Sequence, residues 1–347
     1  MKRSLLITIA VVVILLIAGG AWFFYDHFGQ QGLGEASGKW CQGVKIVFFA
    51  GGNMQDPFSL TLYHGAEAAQ ADLGPNVEYV WSNWDSDAMT LQFENAINES
   101  PTPDAISMMG HAGESTLLSF ISEAENKNIV VTLANVDLPD IRTEYENKGF
   151  GYVGQGLHAS GLAISDGLVR EYNLEKGTEV IVFGVDPTTD PARYQRTQGI
   201  IDGLTNDEMV VHQITIPQGV QADANSAAAQ KLFSDALAQY PNAKAILIDH
   251  GALTAAAPTL LENLGKKPGD IAVGGFDLST STVAGIENGY IGLVQDQQPY
   301  LQGYLPILQA CLTKKYGFAG LYIDTGVGLI DKTNIYAVAK LVGQGIR

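Results

Sequence analysis

From residue 44 onward the hydrophobic positions switch repeatedly between two spacings. Short, nearly unbroken apolar runs at 44–50, 77–82, 105–109, 129–134, 180–184, 210–216, 245–249 and 271–276 predict strands. Between them, apolar residues recur at helical spacing over 58–72, 89–98, 117–127, 160–171, 193–204, 224–239 and 254–264, with Pro258 bending or delaying the last helix. Continuous apolar strands separated by helices predict parallel sheets covered on both faces. The units are too many for one ordinary open sheet. The expected fold class is α/β, with two doubly wound parallel-sheet lobes in series after an N-terminal hydrophobic segment.

Ligands of such sheets sit beyond the carboxyl ends of the strands. The residues just after each predicted strand therefore carry the functional information. They are Asn53 and Asp56, Ser82 to Asp85, His111, Asn135, Asp186 to Arg193, His250, Asp277 and Gln297. Most are polar or aromatic types able to grip a hydroxylated molecule. The six histidines show no zinc-ligand spacing, and no phosphate loop is present. Gly154-Gln-Gly-Leu-His-Ala159 fits a loose dinucleotide fingerprint, but it comes after a very short apolar run late in the chain. It is read as a crossing between lobes, and no cofactor or metal is expected.

The N-terminus changes the picture of where the protein works. Lys2 and Arg3 precede an apolar run over 5–17 that continues through Tyr25. Positive residues are retained on the cytoplasmic side, so the chain beyond the run is exported and the expected location is extracytoplasmic. Residues 1–28 are a signal peptide ending in the small residues 18–21, or an uncleaved anchor through residues 4–25. The run reaches the ~20 residues that span a bilayer, which favours the anchor. Gly-rich residues 29–42 read as a flexible tether. Cys41 lacks the small and aliphatic residues expected before a lipid-modified cysteine. The net charge of −17 reads as a solubility feature and opposes binding to nucleic acid.

Four stretches carry a family resemblance. Asp56-Pro57-Phe58 opens the first helix, Arg196-xx-Gly199 lies in the second lobe, and Gly274-Gly275-Phe276-Asp277 ends a strand. Ile286-Glu287-Asn288-Gly289 is succeeded by Val294-Gln295-Asp296-Gln297-Gln298-Pro299-Tyr300 and Gly303-Tyr304. In this order, over residues 43–330, the chain resembles the type I periplasmic sugar-binding proteins, close to those for ribose and galactose. These share a fold with the ligand-binding cores of lactose-repressor-like regulators. The resemblance implies a first lobe of residues 43–135 and 299–320 and a second of 154–295 and 327–347. Hinge crossings are then expected at 136–153, 296–298 and 321–326. Cys41 and Cys311 fall in the same lobe, either bridged or as two unpaired thiols, with Cys311 in a helix core.

The implied function is capture of a small sugar, most simply a monosaccharide, by a monomeric protein. An ABC permease and its ATPase are the implied partners. A sugar ring has apolar C–H faces, which aromatic rings cover, and a rim of hydroxyls, which carboxylates and planar amides grip. The expected ligand residues are Asp56, Phe58, Asn135, Arg193, His250, Asp277 and Gln297, with Asn53, Trp84, His111, Asp190, Tyr194 and Arg196 as further candidates. The Arg-xx-Gly spacing makes Arg196 part of a helix and leaves Arg193 or Tyr194 facing the cleft. Each has a plainer alternative. Phe58 is also the first core residue of its helix, Asp277 a cap for a helix starting near Ser279, Gln297 a hinge-backbone partner and Asn135 a turn residue. His250 stands where relatives carry Asn, which adds pH sensitivity.

Three other functions compete. A sugar or autoinducer sensor feeding a membrane receptor would use the same cleft. A transcription regulator would need a basic helix-turn-helix where the apolar N-terminus stands. A hydrolase using Asp56 and Asp277 would need a raised carboxyl pKa, and the cleft set offers no nucleophile, base and oxyanion group together, so no enzyme activity is expected.

Overall fold

The computed structural model describes residues 38–326 and 328–347. The N-terminal signal or anchor segment and most of the expected tether lie outside these residues. No helix among the described residues is long and apolar enough to cross a membrane.

The strands are β1 (Lys45–Phe49), β2 (Asn76–Val80), β3 (Ala105–Met108), β4 (Val130–Ala134), β5 (Gly151–Gly154), β6 (Glu179–Gly184), β7 (Val210–Thr215), β8 (Ala245–Ile248), β9 (Ala272–Phe276), β10 (Leu293–Asp296), β11 (Tyr322–Asp324) and β12 (Gly328–Asp331). They form two six-stranded sheets, ordered β11-β5-β4-β3-β1-β2 and β12-β10-β9-β8-β6-β7. The first is parallel throughout. In the second only the β10–β12 pair is antiparallel. Each sheet therefore holds the doubly wound order in which the winding reverses between the first and third strands, β1/β3 in one lobe and β6/β8 in the other.

The helices that matter for the cleft are α1 (Pro57–Leu73), α2 (Ser86–Ile97), α3 (Glu114–Asn126), α4 (Pro139–Tyr145), α5 (Leu157–Tyr172), α6 (Tyr194–Asn206), α7 (Gln218–Ala222), α8 (Ala227–Gln239), α9 (Gly251–Asn263), α10 (Thr280–Asn288) and α11 (Pro299–Tyr316). Strand alternation explains how they are held. In β6, Val180 and Val182 enter one core with Ile164 and Ile200, whereas Ile181 and Phe183 enter the other with Phe233 and Leu253. Helices α5 and α6 cross at touching distance because Gly199 has no side chain: a Cβ there would lie 2.1 Å from the His158 carbonyl oxygen. This crossing positions α6, whose Arg196 reaches Gln297 beyond β10.

Several boundaries differ from expectation. Residues 136–153 hold α4 and most of β5, a strand of the first sheet, so the first passage between sheets runs through Gln155 and Gly156. The third passage comes after β11, which pairs with β5. Both strands are short, and β5 is bounded by glycines, so neither stands out as an apolar run. Residues 38–42, expected within the tether, are folded: the Cys41 amide donates to the Leu73 carbonyl at 2.9 Å, and Cys41 is bridged to Cys311 on α11. Helix α9 starts at Gly251, ahead of the expected 254, and carries Pro258 inside it.

Candidate functional site

The carboxyl ends of both sheets face one another across a cleft. Asp56, Phe58, Trp84, His111 and Asn135 line it from the first lobe. Arg193, Arg196, His250, Gly251, Ala252 and Asp277 line it from the second, and Gln297 lies just after β10, where the chain passes between the lobes. The lobes also touch at the cleft mouth. His111 Nδ1 donates to Asp190 Oδ2 at 2.9 Å, and Gln218 Nε2 donates to Asp85 Oδ2 at 3.2 Å.

The first lobe supplies an aromatic wall. Phe58 lies on the first turn of α1, with its ring centroid 5.7 Å from Trp84, and Trp84 lies 5.5 Å from His111. Asp56 fixes both ends of this arrangement. Its Oδ1 caps α1 by accepting from the Ser59 amide at 2.7 Å, and its Oδ2 accepts from Trp84 Nε1 at 3.2 Å. Burial pushes the Asp56 carboxyl up, against the pull of those two bonds. Trp84 holds a left-handed backbone, φ 61°, as do Asn135 at 63° and Asp277 at 71°. For non-glycine residues this conformation costs free energy, and the surrounding contacts must hold it.

The second lobe supplies a charged cage. Asp249, 0% exposed, accepts from Arg193 Nη2 at 2.6 Å and bonds Thr197 Oγ1, while its backbone carbonyl accepts from Arg196 Nη1 at 3.3 Å. Burial works to lower the Arg193 pKa, but Asp249 and Asp190 outweigh it and raise it. Arg196 lies 4.4 Å above the Phe276 ring and donates from Nη2 to Gln297 Oε1 at 3.1 Å. Gln297 Oε1 also accepts from Asn135 Nδ2 at 3.1 Å, and Gln297 Nε2 donates to Asp277 Oδ1 at 2.5 Å. One amide thus links a residue of each lobe. Burial drives the Asp277 carboxyl up to about 7 despite Arg196 and Gln297.

Two nitrogens here have no protein partner among the described residues, the Arg196 Nε–H donor and His111 Nε2, which in the neutral ring is an acceptor. His111 Nδ1 must carry a proton to reach the Asp190 carboxylate. His250 is fixed the other way: its Nδ1 accepts from the Leu253 amide at 3.4 Å, so Nε2 carries the proton in the neutral ring. Burial, then Arg193 and Arg196, holds its pKa well below the ordinary value. The expected pH sensitivity of His250 is therefore removed near neutrality. The amino-terminal ends of α1 and α9 both face the cleft, adding donor character.

All seven residues first expected at the site lie together there, as do Trp84, His111 and Arg196. Asp190 sits at the mouth. Asn53 instead bonds Asn83, and Tyr194 turns away while Arg193 and Arg196 both face the cleft. Asp277 is not a cap, because Ser279 caps α10 through the Thr282 amide. Sequence reasoning passed over Asp249, which ended a predicted strand, and Gly251. A Cβ at Gly251 would lie 2.1 Å from Asp277 Oδ2, so glycine there is a requirement of the site.

Comparison with known proteins agrees with this fold. Residues 46–313 match the periplasmic binding protein domain family. A xylose/arabinose-binding protein, XylF, of Sulfolobus acidocaldarius is 29% identical over 297 residues, 81% of this chain and 69% of that protein. Among solved structures, a solute-binding protein of Agrobacterium vitis with bound D-fucose superposes with a TM-score of 0.74 at 19% identity, covering 86% of this chain and 99% of the other. A carbohydrate transporter protein of Acidothermus cellulolyticus in complex with myo-inositol gives 0.72 at 21% identity, covering 88% and 99%.

Proposed function

The chain belongs to the periplasmic binding protein domain family, and from that premise we propose that it captures a small sugar between its two lobes outside the cytoplasm and presents it to an ABC permease. The observation that carries this reading is the single ring of groups drawn from both lobes: an aromatic wall on one side, fixed charges and amides on the other. The Phe58 and Trp84 rings cover a C–H face of the sugar. Asp56, Asp277 and His111 Nε2 accept its hydroxyl protons, and Arg196 Nε and His250 Nε2 donate to its oxygens. A pentose, hexose or cyclic polyol has the required alternation of apolar face and hydroxyl rim, and relatives holding arabinose, fucose or inositol fit that class.

Closure arises from differential contact. A ligand that touches both lobes stabilises the form in which they meet, and that closed shape is what a permease recognises. On this reading the hinge lies at Gln155–Gly156, at 296–298 and in the chain after β11. There the Thr325 hydroxyl donates to the Gln297 carbonyl at 2.8 Å and Gln302 Nε2 donates to the same carbonyl at 2.9 Å. The test is thermal unfolding against pentoses, hexoses, cyclic polyols, disaccharides and nucleosides. A ligand specific for the folded protein raises the midpoint. A shift with one or a few monosaccharides or polyols supports the reading. A folded protein that responds only to nucleosides, or to none of the panel, opposes it.

A further inference from the structure

The base of the first lobe, at the amino-terminal ends of its strands, carries a surface that the cleft does not use. Three aromatic residues run together there. Trp40 stacks on Tyr316 with centroids 5.8 Å apart, and Tyr316 meets Phe318 at 6.2 Å. Tyr316 and Phe318 are each 57% exposed. Lysines surround them. Lys315 donates to the Gln42 carbonyl before β1 and Lys314 to the Asn128 carbonyl before β4, both at 3.0 Å. Lys39 likewise holds a backbone carbonyl, that of Ala71. Among the described residues these three ammonium groups hold carbonyls and form no salt bridge, and the acidic group that feels Lys314, Glu125, has its carboxyl pushed up to about 7 by burial. Lys45 and Lys127 at the same end are already paired with Glu99 and Glu123.

The chain enters the lobe at this surface. Cys41, next to Trp40, is bridged to Cys311 on α11, which pins the entering chain to the base. Residues 26–40 separate Cys41 from the apolar run that ends at Tyr25. Even fully extended, a segment of that length reaches ~50 Å at most. Aromatic rings with a polar edge favour the headgroup layer of a bilayer, and lysines favour anionic headgroups.

We propose that the base of the first lobe docks on the lipid headgroup surface through Trp40, Tyr316 and Phe318, with Lys39, Lys314 and Lys315 against anionic lipid. This inference rests on the reading of residues 4–25 as an uncleaved anchor, and it deepens the proposed function. Docked base-down, the first lobe turns its cleft away from the bilayer, towards incoming ligand. Delivery to a permease then requires the lobe to lift off, within the reach of its tether.

The test uses the full chain in nanodiscs of mixed anionic and zwitterionic lipid, part of it brominated. Cys41 and Cys311 are bridged, so one introduced cysteine takes one fluorophore. Ala319→Cys places it beside the aromatic group, and Tyr336→Cys places it on an exposed part of the second lobe. Unfolding midpoints equal to the parent's verify that both labelled chains are folded. Docking predicts bromolipid quenching at 319 about threefold or more above that at 336, reduced by salt and abolished by Tyr316→Ser with Phe318→Ser. Equal quenching at the two sites overturns the docking. So does energy transfer between labelled copies without lipid quenching, which would make this face a contact between chains. A chain that does not stay with the nanodisc overturns the anchor reading and the docking together. Sugar capture is read separately, from the ligand-induced shift in midpoint of the same samples.

Discussion

The two lobes share a topology and differ in what holds their side of the cleft in place. The first lobe presents rings: Phe58, Trp84 and His111 pack in sequence, and Asp56 fixes them from the end of α1. Its cleft face is continuous with its hydrophobic core, since Phe58 belongs to both. The second lobe presents charge. Arg193 and Arg196 are buried, and Asp249 holds both. A packed wall tolerates small changes and recognises a shape. A cage of buried ions is sensitive to the loss of any member, but it fixes the direction of every donor. On the proposed reading, that difference gives the stacking face to the first lobe and the charged donors to the second.

The largest expected effect breaks the cage. Asp249→Ala leaves the buried Arg193 guanidinium without the carboxylate that bonds it and takes a compensating charge from Arg196, and urea unfolding should show a loss of about 3–5 kcal/mol. A loss below about 1 kcal/mol would mean that water or Asp190 replaces Asp249, and the contrast between the lobes would weaken. Next comes the disulfide, which belongs to the first lobe alone. Cys41→Ser with Cys311→Ser should cost about 2–4 kcal/mol. Hydrogen exchange should then rise at β1 and α11 and stay unchanged at β6 and β8. Equal rises in both lobes would show that they unfold as one unit.

Smaller effects sharpen the comparison. Phe58→Ala removes a stacking face and should weaken sugar binding by about 1–2 kcal/mol, or roughly 5–30-fold, similarly for sugars that differ only in hydroxyl orientation. Asp277→Asn should do the opposite, changing the preference among such sugars. It also has a pH signature. The folded Asp277 carboxyl sits at about 7, above its ordinary 3.8. A raised carboxyl contributes stability that is complete below the unfolded value and lost as pH rises through the folded one. The amide variant escapes that loss, so its stability relative to the parent should grow by ~1–3 kcal/mol between pH 5 and pH 8. A constant difference across that range would place the Asp277 carboxyl near its ordinary pKa.

Much of this fold and site was legible in the sequence, for a physical reason. Strands buried on both faces must be apolar throughout, so β1, β3, β4, β8 and β9 announce themselves, and the polar residue that ends such a run must sit at the sheet's carboxyl edge. That rule alone reached Asp56, His111, Asn135, His250 and Asp277. It failed where elements are short or side-chain direction decides. Gly151-Tyr-Val-Gly154 is too short and too glycine-rich to read as a strand, yet it pairs on both sides. Arg193 and Tyr194 are neighbours, and it is a contact distant in sequence, the bond to Asp249, that holds Arg193 in the cleft. Asp249 was hidden because it comes directly after Ala245–Ile248 and reads as the end of the run.

Capture between the two lobes is tested most directly by calorimetric titration of the best monosaccharide or polyol into the parent, Phe58→Ala and Asp277→Asn proteins. Two-lobe capture predicts one site per chain, with binding weakened by each substitution, one from each lobe. Binding that survives both substitutions unchanged, or that responds to only one lobe, would contradict it.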